Sequence, residues 1–184
     1  MTPRFIVIGL SDSIEESGIG NEAKRIIASH HLFSGGERHH ELVGALLPAS
    51  YEWIDIKLED LTHEIPQFNI WEASYRLIQT MSFWAPGTVF VSVVDPGVGS
   101  ERESVAVLTK TGHVIVTPDN GTLSHVAKEI GILERRRISE TVNRLKNSQR
   151  SFTFYGRDVY AYTGARIASG TITFDEVGPL LEPS

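Results

Sequence analysis

Cysteine is absent from the 184 residues, which excludes disulfides, thiolate nucleophiles and cysteine-based metal sites. No apolar run reaches the roughly 18 residues that a membrane-spanning helix needs, so no membrane partner is expected. Basic residues are in deficit. Lys and Arg total 17 against 23 Asp and Glu, a formal net charge of -6, which argues against nucleic acid held by bulk electrostatics. The one locally basic run, Arg135-Arg136-Arg137, reads as a solvated face. A leader pattern is missing too: Met1-Thr2-Pro3-Arg4 runs straight into a strand-like segment with no long apolar stretch or cleavage site. The cytoplasm is the expected compartment.

What is present is near average, with 41% hydrophobic and 22% charged residues. This composition and length suit a globular chain of one domain, or one and a fragment. Short β-rich runs alternate with segments of helical period, a pattern that predicts an α/β fold of three layers, with a mainly parallel sheet flanked by helices. Strands are expected over residues 5–10, 53–56 and 87–94, the last as the central strand. A hairpin is expected from 104–110 and 113–117 about Thr111-Gly112. Helices are expected over 21–30 with Asn21 as cap, over 38–47, from Asn69 to about Met81, after Gly121 to Ile130, and from about Tyr155 to Ala168. Glu72 stands three residues after Asn69, the spacing of a capping box.

The segment from Val91 to Arg102 carries the most chemistry. An apolar strand ends in Asp95, turns at Pro96, Gly97, Val98 and Gly99, and reaches Arg102. Ligands of open α/β sheets bind outside the carboxyl ends of strands, and a Gly-rich turn lets backbone N–H groups approach them. A surface ion pair on a tight turn is the competing reading. Two further loops join it: Pro118-Asp119-Asn120-Gly121, which is also a strong turn sequence by itself, and Phe154-Tyr155-Gly156-Arg157-Asp158. All three are expected to border one pocket.

In that order, VVDPGVGSER, TPDNG and TFYGRDVYAYTGARIASG resemble the S-adenosylmethionine hydroxide adenosyltransferase family, relatives of the fluorinating and chlorinating enzymes. The stretch DLTHEIP with NIWEA upstream fits as well, so the resemblance covers roughly residues 58–184. It implies cleavage of S-adenosylmethionine to adenosine and methionine by water attacking the ribose carbon bound to sulfur. In that comparison Asp95 takes the place of the water-activating aspartate, Arg102 that of its partner, and Tyr155 that of a histidine. Pro96, Gly97, Val98, Asn120, Phe154 and Gly156 are expected to contact substrate, with Arg157 and Asp158 behind them. The alternative for Tyr155 is a core aromatic opening a helix, and for Arg157 and Asp158 an ordinary pair at a helix start. Tyrosine, with a reference pKa near 10, cannot take a proton at neutral pH as histidine can. A Tyr followed by a small residue is similar to the halogenating branch, but a carboxylate at Asp95 would repel a halide, so water is the favoured nucleophile. No metal and no cofactor beyond S-adenosylmethionine as substrate are expected.

The amino-terminal residues 4–56 lack the acidic-glycine loop of that family. FIVIGLSDS, HHLFSGGERHHELVGALLP and YEWIDI instead resemble the beginning of the precorrin methyltransferases of cobalamin biosynthesis. The chain therefore reads as a fusion: a methyltransferase-like segment 1–56 packed into the same domain, a seam near 56–60, and an adenosyltransferase-like domain 57–184. The family's smaller carboxyl-terminal β domain, which the resemblance places across a homotrimer interface, is expected to be absent. Activity is expected to suffer accordingly, leaving a non-catalytic nucleoside-binding domain, halide-dependent adenosyl transfer and a methyltransferase fragment as alternatives. Asp12 is a stand-in for the missing ribose-binding acid or a helix cap. His30-His31 and His39-His40-Glu41 are not expected to chelate, since adjacent helical residues face different ways. His63 and His125 are expected to be ordinary surface or core histidines, with His125 near the pocket.

Overall fold

The computed structural model describes residues 19–35, 37–55, 59–149 and 152–182. The expected strand 5–10 and Asp12 lie outside them. The chain divides into two compact units, Met1–Glu59 and Asp60–Ser184.

In the first unit, helix α1 (Asn21–Ala28) begins after Gly20, which serves as N-cap without a side-chain bond. Asn21 is thus the first helical residue rather than the cap. Strand β1 (Leu32–Gly35) pairs in parallel with β2 (Glu52–Asp55), and between them α2 (Glu37–Val43) runs into a short 3-10 turn, Gly44–Leu46. Ile19, Ile27 and Val43 are buried together, with Phe33, Leu46 and Trp53 packed against them. Among the described side chains, His30 and His40 are engaged by neighbours. His30 Nδ1 lies 2.7 Å from the Ile26 carbonyl, and His40 stacks on Trp53 at 4.3 Å with Nε2 2.8 Å from the Tyr51 hydroxyl.

In the second unit, α3 (Ile70–Met81) opens as its spacing predicts. Asn69 accepts from the Glu72 backbone at 3.0 Å and donates to the Glu72 carboxylate at 3.2 Å, satisfying one of the unpaired N–H groups of the first turn. A four-stranded sheet follows, formed by β3 (Val89–Val91), β4 (Ser104–Thr109), β5 (Val114–Pro118) and β6 (Ile132–Arg137) in the order β3-β5-β4-β6. Only β3 and β5 are parallel; β4 is antiparallel to both β5 and β6. The sheet is therefore mixed where a mainly parallel one was expected, because the hairpin about Gly112, whose φ is +80°, joins neighbouring strands directly instead of through a crossover helix. β3 stands at the end of this order, not at its centre. β6 was not expected as a strand, and the arginines read as a solvated face are its last residues.

Alternation along the strands divides the core in two. Val105, Val107 and Ile115 pack with Leu77, Met81 and Val126 of α3 and α4 (Ser124–Glu129). Ala106, Val114 and Val116 face Val159, Tyr160 and Val177. Burying a residue of this size contributes roughly 1.5–3 kcal/mol. The second face is covered by a π-helical turn, Gly156–Ala161, that continues into α5 (Tyr162–Ala168). At Gly164 a Cβ would fall 2.6 Å from Val91 Cγ2, so its lack of a side chain lets α5 lie close on β3.

Candidate active site

Asp95 lies four residues beyond the end of β3. Its approach is fixed by the Ser92 N–H, which donates to Val116 O at 3.0 Å, and by Asn120 Nδ2, which donates to Val94 O at 2.9 Å. The chain then turns tightly, the Ser100 N–H donating to Gly97 O at 3.0 Å, with Gly99 at φ +79°, a backbone conformation that favours glycine. Gly97 lies against the stem of Arg102, whose Cδ would stand 3.5 Å from a Cβ there.

The turn brings Arg102 back onto Asp95. Arg102 Nε donates to Asp95 Oδ1 at 2.6 Å and Nη2 to Oδ2, a fork on both carboxylate oxygens. The remaining nitrogen, Nη1, donates to Glu103 O at 3.2 Å and to Ser104 Oγ at 3.4 Å. Asp95 and Arg102 side chains are only 6% and 12% exposed. The surface-pair reading therefore does not apply. A bidentate pair this sheltered fixes both groups in one plane, and an unpartnered charge there would be costly.

Tyr155 joins through its ring. Its centroid lies 5.7 Å from the Arg102 guanidinium carbon and 5.1 Å from that of Arg144, within cation–π range. Burial, followed by a hydrogen bond and the charge of Glu140, pushes the Tyr155 pKa above its usual value, with Arg144 opposing. The phenol is neutral at physiological pH. Arg144 itself is buried, with Nη1 on Glu140 at 2.5 Å and Nη2 on Ser148 O at 3.1 Å.

The three loops converge. Gly156 sits against Val93, whose Cγ1 would be 3.1 Å from a Cβ at that position, and the Asp119 N–H donates to Glu103 O at 2.9 Å. Asn120 uses its side chain within the protein, accepting from Thr122 Oγ1 at 2.8 Å as well as holding Val94. Asp119 pairs with Arg135 at 3.0 Å, Arg136 with Asp175 at 2.7 Å, and Arg137 with Glu103. Val98 and Phe154 are exposed beside the turn and the π-helical segment, and Pro96 is exposed as well. Arg157 is exposed, 5.1 Å from the Phe154 ring, and bonds the buried Asp158 at 2.6 Å. His125 is held by Ser74 at 2.9 Å and lies edge-on to Trp71, and His63 bonds the exposed Asp60 at 2.9 Å. Among the described residues no three metal-ligating side chains gather in one place, and no helix is long and apolar enough to cross a membrane.

Ser104 and Tyr160 were missed by the sequence reading. Tyr160, fully buried, lies 5.8 Å by its ring centroid from the Arg102 guanidinium, and its hydroxyl is 3.0 Å from Ser104 Oγ. Five residues separate it from Tyr155, which would turn the two apart on an α-helix but brings them to one side on a π-helical turn.

Residues 40–178 match the SAM hydroxide adenosyltransferase N-terminal domain. The chain belongs to this family. The match begins ahead of the seam expected near 56–60 and so takes in residues 40–56 of the stretch read as methyltransferase-like. A protein of Methanocaldococcus jannaschii named (R)-S-adenosyl-L-methionine hydrolase is 45% identical over 113 residues, 61% of this chain and 41% of its own length. One of the same name from Salinispora arenicola is 34% identical over 78% of this chain and 51% of its own. The chain thus spans about half the length of these curated relatives. A crystal structure of an uncharacterized conserved protein from Thermotoga maritima superimposes with a TM-score of 0.64 at 35% identity, covering 84% of this chain and 59% of that one.

Proposed function

We propose that this adenosyltransferase-family chain hydrolyses S-adenosylmethionine to adenosine and methionine. The observation that carries the reading is the sheltered Asp95–Arg102 fork, together with similarity to proteins named as hydrolases of this substrate. Water oxygen bonds to the 5′ carbon of the ribose as the carbon–sulfur bond breaks. The electron pair of that bond goes to sulfur, which leaves as the neutral thioether of methionine, and one water proton is released to solvent. The sulfonium is already a good leaving group, so the protein's part is to align water and accept its hydrogen bond. Asp95 is the acceptor. Arg102 holds the carboxylate in plane. Tyr155 covers the guanidinium and, remaining protonated, does not act as base.

Pro96, Gly97, Val98, Phe154 and Gly156 are proposed to line the nucleoside and methionine side. Asn120, whose side chain is engaged with Val94 and Thr122, supports the strand end, and Arg157 and Asp158 support the π-helical turn. In the proposed homotrimer the exposed Val93, Val98, Phe152 and Phe154 are the apolar surface that assembly would cover. We read water rather than halide as nucleophile because the buried carboxylate repels an anion. Transfer of the methyl group to a corrin draws support only from the amino-terminal motif. Incubation of the full chain with S-adenosylmethionine, followed by chromatography, should yield equal adenosine and methionine. Loss of both in Asp95→Ala supports the reading; turnover unchanged in that variant rejects it.

A further inference from the structure

All three guanidinium nitrogens of Arg102 are occupied, but only two of them serve Asp95. The third, Nη1, reaches Ser104 Oγ at 3.4 Å, and Ser104 Oγ reaches the Tyr160 hydroxyl at 3.0 Å. Ser104 begins β4 and Tyr160 lies on the π-helical turn, so the chain of hydrogen bonds ties the guanidinium to two different elements. We infer that Ser104 and Tyr160 are positioning residues for the proposed hydrolysis: through Nη1 they set the angle at which the Arg102 fork, and with it the Asp95 carboxylate, faces the attacking water. This rests on the hydrolytic reading of that pair.

The geometry favours positioning over simple satisfaction of a buried hydroxyl. The fork on Asp95 fixes the plane of the guanidinium, and the grip on its far nitrogen, from Glu103 O at 3.2 Å and Ser104 Oγ at 3.4 Å, fixes its tilt and reach within that plane. The Tyr160 ring, at 5.8 Å, adds a second restraint on the same group. Burial pushes the Tyr160 pKa to about 12, so the hydroxyl keeps its proton and its hydrogen bond throughout the working range. Small angular errors at a reacting group are expensive in rate and cheap in binding.

Tyr160→Phe removes one oxygen and keeps the ring; Ser104→Ala removes the link. With the full chain and S-adenosylmethionine, each variant should lower kcat about fivefold with KM unchanged within about twofold, and the double variant should cost little more than either single, because the two act in series. Additive losses, or losses carried by KM, would overturn the inference. A second measurement is independent of turnover. In nitrogen-15 spectra assigned with Arg102→Lys, the Arg102 Nε–H resonance should be sharp in the parent chain and shifted or broadened in Tyr160→Phe. An unmoved resonance overturns the positioning role whether or not the parent releases adenosine, whereas absence of adenosine with a moved resonance overturns only the hydrolytic reading.

Discussion

Tyr155 and Tyr160 place their rings 6.3 Å apart although five residues separate them, and both rings lie within cation–π range of Arg102. The π-helical turn makes this arrangement. An α-helix would carry the fifth residue to another face, leaving one tyrosine on the site and the other in solvent or in a different part of the core. Extra residues in a helical turn recur where a side chain must be re-aimed, and here the turn delivers a second aromatic ring and a buried hydroxyl to the same guanidinium.

The burial of Tyr160 has a pH signature. Its pKa is raised from 10.0 to about 12, so as pH rises the unfolded chain loses this proton first. Fewer protons bound in the unfolded state mean that stability falls with pH. The contribution is intact below pH about 10 and is lost toward pH about 12. Urea unfolding at stepped alkaline pH should show a decline that is shallower in Tyr160→Phe; the raised Tyr155 leaves part of the decline in place.

Asp95→Asn keeps the shape of the side chain and removes its charge. Adenosine release should fall about 10²-fold or more, and the buried guanidinium left without its counter-ion should cost about 3–5 kcal/mol of stability. Arg102→Lys retains charge but not the fork, and should lose most activity with a smaller fall in Tm. Steady-state kinetics and thermal unfolding check both.

Asn120→Ala removes the donor to Val94 O. The unpaired carbonyl should cost about 1–3 kcal/mol. Because Val94 immediately precedes Asp95, kcat should fall by more than KM rises. Chemical denaturation and initial-rate measurements on the same preparation separate the two effects.

Gly164→Ala forces a methyl to within 2.6 Å of Val91 Cγ2. Despite the better helix propensity of alanine, overpacking should destabilise by about 1–3 kcal/mol. A raised melting temperature would contradict the close packing of α5 on β3.

The Asp95–Arg102 pairing was legible because the two residues are local in sequence. Asp95 and Arg102 are seven residues apart across one turn, and turn chemistry together with strand pattern places them. The Asn69 cap and the hairpin about Gly112 were legible for the same reason. What escaped was long-range. Strand β6 is rich in arginine, and its strand character comes from pairing with β4 and from partners at Asp119, Asp175 and Glu103, none of which local hydropathy reveals. The mixed sheet followed from β4 lying antiparallel between β5 and β6, a pairing with the unexpected strand β6 that the pattern of a mainly parallel sheet did not include. Ser104 and Tyr160 are 56 residues apart, and only the non-α periodicity of residues 156–161 joins them to the same guanidinium.

The most direct measurement is turnover of S-adenosylmethionine in isotopically labelled water. Mass spectrometry should find the heavy oxygen in the 5′-hydroxyl of adenosine, in amounts equal to methionine, with formation lost in Asp95→Asn. Release of no adenosine by the parent chain, or of a product carrying halide or lacking the label, would contradict attack by water at the Asp95–Arg102 pair.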